Sequence, residues 1–339
     1  MSRCGFIPPF VLENLAKANV EEARISAWDS NQTTAKRSAR EINVYSLVQA
    51  AAKNPLRYVY DCQNKGQQRV KLVRKEGDPA TGDQDVNLVY DFAGVTRDFY
   101  KNTLKRNSID DNGLDLILNV HYGVKYMNAY WDGDEMTFGD GDGKIFTAFD
   151  KSLDVVAHEL THGVTQYTAN LVYKGQSGAL NEHFSDVIGS AIQQYYDKVT
   201  AEKADWLIGN EIMGPTLYGE ALRSMKAPGT AYDNDLLGKD PQPDHMKDYY
   251  NGSSDNYGVH INSGIPNKAF YLVSMDIGTD KAALIWYEAL KKLIPTADFN
   301  FAVKKIADSA RDLTNKKQVP QGSTQSVRAA FKEVGLPTK

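Results

Sequence analysis

The segment DVVAHELTHG, residues 154–163, contains the pattern H-E-x-x-H, and the rest of the chain is best interpreted around it. His158 and His162 are four residues apart, so on a helix their imidazoles share one face and can bind the same metal ion. Glu159 lies beside the pair, where it can act on a metal-bound water. The neighbours that predict a buried helix are Leu153, Val155, Val156, Ala157, Leu160 and Val164. A catalytic zinc ion here would need a third protein ligand and leave a fourth position for water.

The third ligand is expected on the next predicted helix, residues 177–196. Two antiparallel helices joined by a loop would bring Glu182 beside the two imidazoles and complete a set of two histidines and one carboxylate. Asp186 lies one turn further along the same face. It is expected to accept the outer N–H of a ligand imidazole and so to fix the orientation of that ring.

Composition places the chain among ordinary soluble proteins. It has 339 residues, enough for two domains, with 42% hydrophobic and 24% charged residues. The net charge is -4 and the pI is near 5.9, so the sequence has no excess of positive charge. Neither nucleic acid nor an anionic membrane is therefore expected as a partner. No apolar run approaches the roughly 20 residues that span a bilayer. Pro8 and Pro9 interrupt the first apolar run, so no secretory signal is predicted.

The first 45 residues differ from the rest. An apolar segment with Pro-Pro-Phe leads into a short helical pattern, and residues 30–40 form a polar, basic stretch that predicts an exposed linker. Proteolytic cleavage concentrates in such linkers. We therefore consider residues 1–45, called the N-terminal arm below, either a frayed terminus or a short propeptide that is removed by cleavage.

The hydrophobic period changes from two to 3.6 near residue 150, which predicts two catalytic subdomains, a β-rich one at 46–152 and an α-helical one at 153–339. In the first, we predict a hairpin of strands 56–60 and 68–73, a helix at 85–105, strands at 116–122 and 128–131, and a tight turn at 139–143. In the second, we predict helices at 152–168, 177–196, 262–277, 280–293, 298–313 and 323–335, with a loop region at 209–258. The motif helix would lie at the floor of a cleft between the domains, a usual place for a ligand site.

Several separated motifs in the same order resemble the thermolysin-like neutral metalloproteases. They are the segment 154–186, NAYW at 128–131 and DNYGVHINSG at 255–264. The resemblance covers about residues 45–337, and the short Pro-Pro-Phe arm points to the protealysin-like branch. It implies an α+β fold with a β-rich N-terminal domain, a mainly helical C-terminal domain and the active-site cleft between them.

The resemblance implies roles for matching residues. His158, His162 and Glu182 would bind one Zn²⁺ ion, and Glu159 would take a proton from the attacking water and deliver it to the leaving amine. The residues implied to act on the developing oxyanion are Tyr173 and His260, with Asp255 holding His260.

The resemblance also implies a substrate site. Asn128, Ala129 and Trp131 would hold the substrate main chain as an added strand, and Arg223 would bind a substrate carbonyl. The specificity pocket would be lined by Phe146, Phe149, Val155, Ile208 and Leu222. Because all five are apolar, we expect cleavage on the N-terminal side of bulky hydrophobic residues.

Two departures from the family pattern carry further expectations. The positions that would hold structural calcium read Asp154, Gln193, Asp205, Leu207 and Asn210. Only two of them are carboxylates, so Ca²⁺ binding is expected to be weak or absent. The arm is short, and we expect Pro8, Pro9 and Phe10 to block the substrate groove. For Cys4 two interpretations stay open: its thiolate lies near the metal as a fourth ligand, or it is a free thiol on a mobile tail.

The resulting hypothesis is a monomeric zinc endopeptidase that acts on proteins and peptides and is inhibited by its own propeptide. The family is mostly secreted, but no export signal is visible, so cytoplasmic storage and a nonstandard export route stay open. Two alternative functions are a peptide-binding protein without catalysis and an aminopeptidase. Loss of Glu159 or His260 would mark the first, and both are present. The second needs a group that binds a free α-amino end, and none was assigned.

Overall fold

The computed structural model describes residues 5–28 and 54–337 of the chain. The chain divides into two compact units, Met1–Tyr167 with Glu211–Gly219, and Thr168–Asn210 with Glu220–Lys339. The change of periodicity predicted a boundary before the motif helix, whereas that helix belongs to the first unit. Its packing explains this, because the Tyr100 and Thr161 hydroxyls, on two helices of that unit, lie 2.7 Å apart.

A mixed sheet forms the β-rich part of the first unit. Its described strands are β1 (Arg57–Asp61), β2 (Lys71–Lys75), β3 (Leu116–Val120), β4 (Ala129–Trp131) and β5 (Met136–Phe138). The spatial order is β2-β1-β3-β5-β4. Strands β1 and β2 pair antiparallel, which confirms the predicted hairpin. Strand β3 is parallel to β1 and β5, and β4 closes this order antiparallel to β5.

The first unit also contains helices α1 (Pro9–Lys17), α2 (residues 21–28), α3 (Gln84–Asn102) and α4 (Leu153–Gln166). Helix α3 begins after Asp83, whose carboxylate accepts the backbone N–H groups of Asp85 and Val86 and so caps the helix. It ends three residues before the predicted end.

The second unit is mainly helical in its described part. Its helices are α5 (Gly175–Asp197), α6 (Ser254–Asn262), α7 (Gly264–Ile277), α8 (Thr279–Leu290), α9 (Phe299–Asn315) and α10 (Ser323–Glu333). Short strands β6 (Leu207–Ile208), β7 (Arg223–Ser224), β8 (Asp233–Asn234) and β9 (Gly238–Lys239) pair as β6–β7 and β8–β9. Trp286 lies at the core of this unit, stacked on Phe331 and edge-on to Phe270. None of the described helices is long and apolar enough to cross a membrane.

Helix α6 lies partly within a segment that was predicted to be loop. Four consecutive residues, Asp255–Gly258, have positive φ angles between 49° and 78° and form a left-handed turn. Three of them are not glycine, so the turn costs backbone energy that other contacts must offset. The Asp255 carboxylate offsets part of that cost by accepting the backbone N–H groups of His260 and Ile261 at 2.7 and 3.2 Å. Hydrophobic periodicity carries no signal for such a turn, which is why the prediction was wrong here.

Candidate active site

Helix α4 places the two motif histidines against each other. Both imidazoles are buried, and their Nε2 atoms are 2.9 Å apart. Two nitrogens at the usual Zn–N distance of about 2.0–2.1 Å and 2.9 Å apart would subtend an angle of about 90° at the metal, against about 109° for an ideal tetrahedron. His158, Glu159 and His162 form a group whose ligand atoms lie close enough to hold a metal ion. This donor set therefore fits a divalent metal such as zinc.

Helix α4 packs closely on strand β4. A Cβ atom at Gly163 would come within 3.1 Å of the Trp131 ring and 2.6 Å of Ile109, so this contact requires glycine. The close approach lets the backbone N–H of Trp131 donate to Oε2 of Glu159 at 2.6 Å. Glu159 is fully buried. The strand thus orients the carboxylate that the resemblance assigns as the catalytic base.

The N-terminal arm lies along strand β4. Gly5 forms an antiparallel bridge with Tyr130, and the Phe6 N–H donates to the Ala129 carbonyl at 3.0 Å. The Asn128 side chain accepts the Ile7 N–H at 2.8 Å and donates to the Ile7 carbonyl at 3.4 Å. Residues 5–7 therefore occupy the Ala129 carbonyl and the Asn128 side chain, on residues that the resemblance assigns to the substrate.

Phe6 brings an apolar ring onto the metal motif. Its ring is edge-on to the His158 imidazole, with centroids 5.1 Å apart, and the side chain is 0% exposed. Pro8 precedes helix α1, and Pro9 and Phe10 are its first two residues. Cys4 lies outside the described residues.

Two further contacts hold the arm on the first unit. The Met127 N–H donates to the Ser26 hydroxyl at 2.9 Å. Lys125 forms an ion pair with Glu22 at 2.9 Å. The arm is thus attached from residue 5 to helix α2, well beyond the contact with His158.

In the second unit, four candidate site residues lie together. The Tyr173 hydroxyl donates to Oε1 of Glu182 at 2.5 Å and lies 3.2 Å from Nε2 of His260. Nδ1 of His260 is 2.6 Å from the Asp255 carboxylate, whose position the left-handed turn fixes. Burial alone would lower the pKa of His260, but the charges of Asp255 and Glu182 outweigh it and raise that pKa above its usual value. A protonated His260 directs an Nε2–H toward the space beside Tyr173.

Arg223 and Asp186 form a buried ion pair in the second unit. Nε and Nη2 of Arg223 donate to the two carboxylate oxygens at 2.9 and 2.8 Å. Such a bidentate ion pair fixes the plane of the guanidinium. Asp186 was predicted to support a ligand imidazole, and in its own unit it orients Arg223.

The predicted pocket residues are all buried. In the first unit, the rings of Phe146 and Phe149 lie 5.8 Å apart, and Val155 is on helix α4. In the second unit, the Leu222 N–H donates to the Ile208 carbonyl at 3.0 Å.

Several of the expected calcium positions are engaged in local contacts. The Gln193 amide donates to Asp197 at 2.8 Å, and the Asn210 amide donates to Asp205 at 3.3 Å. Asp154 accepts the Ser152 hydroxyl. Weak or absent calcium binding stays a prediction.

Comparison with known proteins decides the family. Residues 22–166 match the family model described as thermolysin metallopeptidase, catalytic domain, and residues 169–336 match the model of its alpha-helical domain. The chain is 47% identical, over 91% of both chains, to an extracellular metalloprotease of Pectobacterium carotovorum subsp. carotovorum. It belongs to the thermolysin family of metallopeptidases.

Two further relatives refine that statement. The solved precursor of protealysin, a metalloproteinase from Serratia proteamaculans, is 42% identical and superposes with a TM-score of 0.86, covering 98% of this chain and 99% of that chain. A thermolysin of Alicyclobacillus acidocaldarius subsp. acidocaldarius is 41% identical over 76% of this chain, which spans about half the length of that relative. The chain is therefore a metalloendopeptidase of the protealysin-like branch, with the α+β fold that its sequence predicted.

Sequence reasoning missed Gly5, Phe6 and Ile7. It assigned the masking of the groove to the Pro-Pro-Phe run, because proline is the most visible signal in the arm. The available signal was the apolar pair Phe6-Ile7 just before Pro8, since a proline favours extended backbone in the preceding residue.

Proposed function

We propose that this metalloendopeptidase is zinc-dependent, is made as a zymogen and cleaves on the N-terminal side of bulky hydrophobic residues. The position of residues 5–7 carries the zymogen proposal. They use the Ala129 carbonyl and the Asn128 side chain, and Phe6 covers His158. A substrate that pairs with β4 in the same way would compete with the arm for these groups.

We assign the metal ligands as His158, His162 and Glu182. The convergence of the two imidazoles supports the first two, and the family resemblance supports the third. These three residues would hold a zinc ion that would supply a Lewis acid and would lower the pKa of the attacking water. Glu159 accepts the proton of that water and transfers it to the leaving amine. Its hydrogen bond from the Trp131 N–H keeps the carboxylate in one orientation for both transfers.

Tyr173 and His260 are assigned to the developing oxyanion. The hydroxyl of one and Nε2 of the other are 3.2 Å apart. When the Tyr173 hydroxyl donates to the oxyanion instead of to Glu182, both groups can donate to one oxygen atom. Asp255 accepts Nδ1–H of His260, which leaves the Nε2–H to face the substrate. Loss of one such donor typically reduces kcat by roughly 100- to 1,000-fold.

The preference for hydrophobic residues rests on five apolar side chains. Phe146, Phe149 and Val155 in the first unit and Ile208 and Leu222 in the second are each buried, and none of their side chains has a charged or polar atom. A charged substrate side chain would lose its hydration there without gaining a partner.

Maturation is assigned to cleavage within residues 30–45, in or just after the predicted linker, and these residues lie outside the described ones. Cleavage would convert the arm from an intramolecular ligand into a dissociable one, because it removes the high effective concentration that the chain connection gives. Cys4 is kept as a candidate fourth metal ligand, and a Cys4→Ser precursor tests it through its rate of maturation. Because a relative is named an extracellular metalloprotease, we propose that this protein also acts outside the cell, as a monomer and on protein and peptide substrates.

An internally quenched peptide with both ends blocked tests the activity. The mature enzyme should cleave it before a leucine or phenylalanine, as mass spectrometry of the products would show. Glu159→Gln should abolish cleavage while leaving metal content unchanged. Release of single residues from free N-termini, without cleavage of the blocked peptide, would instead indicate an aminopeptidase.

A further inference from the structure

A continuous series of hydrogen bonds between buried side chains connects the core of the second unit to Arg223. It passes through Trp286 on α8, His183 on α5, Asn267 on α7 and Asp186 on α5. Asp186 and the three side chains before it are all fully buried, and Arg223 is 2% exposed. None of these three inner residues was assigned a role from the motifs.

Trp286, the first residue of the series, fixes the direction of every hydrogen bond that follows. The indole Nε1 of Trp286 can only donate, and it lies 2.6 Å from Nε2 of His183. Nε2 must therefore be the acceptor, so the proton of the neutral imidazole lies on Nδ1. Nδ1–H then donates to Oδ1 of Asn267 at 2.7 Å.

The tautomer of His183 in turn fixes the amide of Asn267. Because Oδ1 faces the imidazole N–H, the amide nitrogen faces the other way and donates to Oδ2 of Asp186 at 2.9 Å. A flipped amide would place two N–H donors against each other and its oxygen against a carboxylate oxygen. The structure thus permits one arrangement only.

Asp186 receives this donor together with two from Arg223. The two guanidinium N–H groups occupy both carboxylate oxygens, and Asn267 adds a third hydrogen bond. A buried ion pair is favourable only when its remaining hydrogen-bonding capacity is satisfied and its geometry is held. Asn267 fulfils the first condition, and its rigid attachment to His183 fulfils the second.

We propose that His183 and Asn267 are positioning residues that fix the Asp186 carboxylate, and through it the Arg223 guanidinium, for binding of a substrate carbonyl. The proposal rests on the role that the family resemblance implies for Arg223. Neither residue touches the substrate, so their effect must pass through the ion pair.

A double-mutant cycle in the mature, metal-loaded enzyme tests this transmission. Asn267→Leu removes both hydrogen bonds of the amide at similar volume, and Arg223→Met removes the guanidinium. Hydrogen bonds to charged groups contribute enough that losing one changes an equilibrium roughly tenfold or more. Asn267→Leu should therefore raise KM for the blocked peptide about tenfold while kcat changes little, since the carbonyl contact is made equally in ground state and transition state. In the Arg223→Met background the same substitution should change KM less than twofold.

Two substitutions of His183 form a matched pair and provide a second test in case the Asn267 variant does not fold. His183→Gln keeps one donor and one acceptor and should retain most of the substrate affinity, whereas His183→Phe removes both and should raise KM like Asn267→Leu. Thermal unfolding and metal content of every variant show whether the fold is intact. If Asn267→Leu does not fold, the His183 pair carries the test with the same readout.

Additive effects of Asn267→Leu and Arg223→Met on KM would overturn the inference, as would equal losses in the two His183 variants. If Arg223→Met itself leaves KM unchanged, the substrate role of Arg223 fails, and the inference fails with it. That outcome is distinct from failure of the endopeptidase assignment, which Glu159→Gln measures separately.

Discussion

Replacement of Phe6 by alanine should activate the uncleaved precursor. The side chain is fully buried against His158, and removal of a buried phenylalanine side chain typically costs about 3–5 kcal/mol. Taking the lower value and a tenfold change for every 1.4 kcal/mol, the equilibrium between the docked and undocked arm shifts by roughly 100-fold toward the undocked form. Precursor activity should rise by about that factor, up to the activity of the mature enzyme.

The assay is the initial rate of cleavage of the blocked peptide by intact precursor. Mass spectrometry of the same sample shows that residues 1–45 are still attached. Phe10→Ala is the matched control, because Phe10 is a partly exposed phenylalanine at the start of α1, four residues along the same arm. It should raise the rate much less than Phe6→Ala. The reasoning is refuted if intact Phe6→Ala precursor is no more active than the wild-type precursor, while the two mature enzymes have equal activity.

Three further predictions concern stability and metal content. Both carboxylate oxygens of Asp150 are buried without a hydrogen-bond partner among the described residues, and burial raises the pKa of this group well above its usual value. The folded state therefore favours the protonated carboxyl, and the free energy of unfolding falls as pH rises above about 4. Asp150→Asn should increase the free energy of unfolding at pH 7 by on the order of 1–3 kcal/mol, measured by urea denaturation. The absence of an increase would contradict this reasoning. His121 hydrogen-bonds to Asp140 and Asp83, which raises its pKa to about 10, so its stabilising contribution is complete below about pH 6.5 and lost as pH rises through 10. His121→Gln should flatten the fall of stability between pH 8 and 10.5, and an unchanged slope would count against the ion pairs. Chelation should abolish activity in a way that zinc restores and calcium does not, and recovery with calcium alone would contradict the expected weakness of the calcium site.

Much of this fold could be predicted from local pattern. The alternation of residues 56–73 predicted the β1–β2 hairpin, and the 3.6-residue period predicted most helices to within a few residues. These signals are strong because each element buries one face over several turns or pairs. The left-handed turn at Asp255–Gly258 left no such signal, because its stability comes from a side chain that bonds to backbone groups after the turn.

In the candidate site, local spacing predicted the histidine pair but not the long-range contacts. The i, i+4 spacing of His158 and His162 dictates their convergence on any helix, and the structure has it. The contact of Phe6 with His158 depends on tertiary docking of a short segment, so no periodic pattern in the sequence predicts it. The same holds for Asp186, whose partners Arg223 and Asn267 come from two other elements of the second unit. Long-range polar partners of this kind are set by packing rather than by local spacing.

Elemental analysis of the purified enzyme tests the central claim most directly. One zinc ion per chain is expected in the wild-type protein, because two buried imidazoles converge on one point. His162→Ala should lose that zinc ion and the peptidase activity together, with the fold retained by circular dichroism. A fully active enzyme without zinc, or a His162→Ala variant that keeps one zinc ion per chain, would contradict the account.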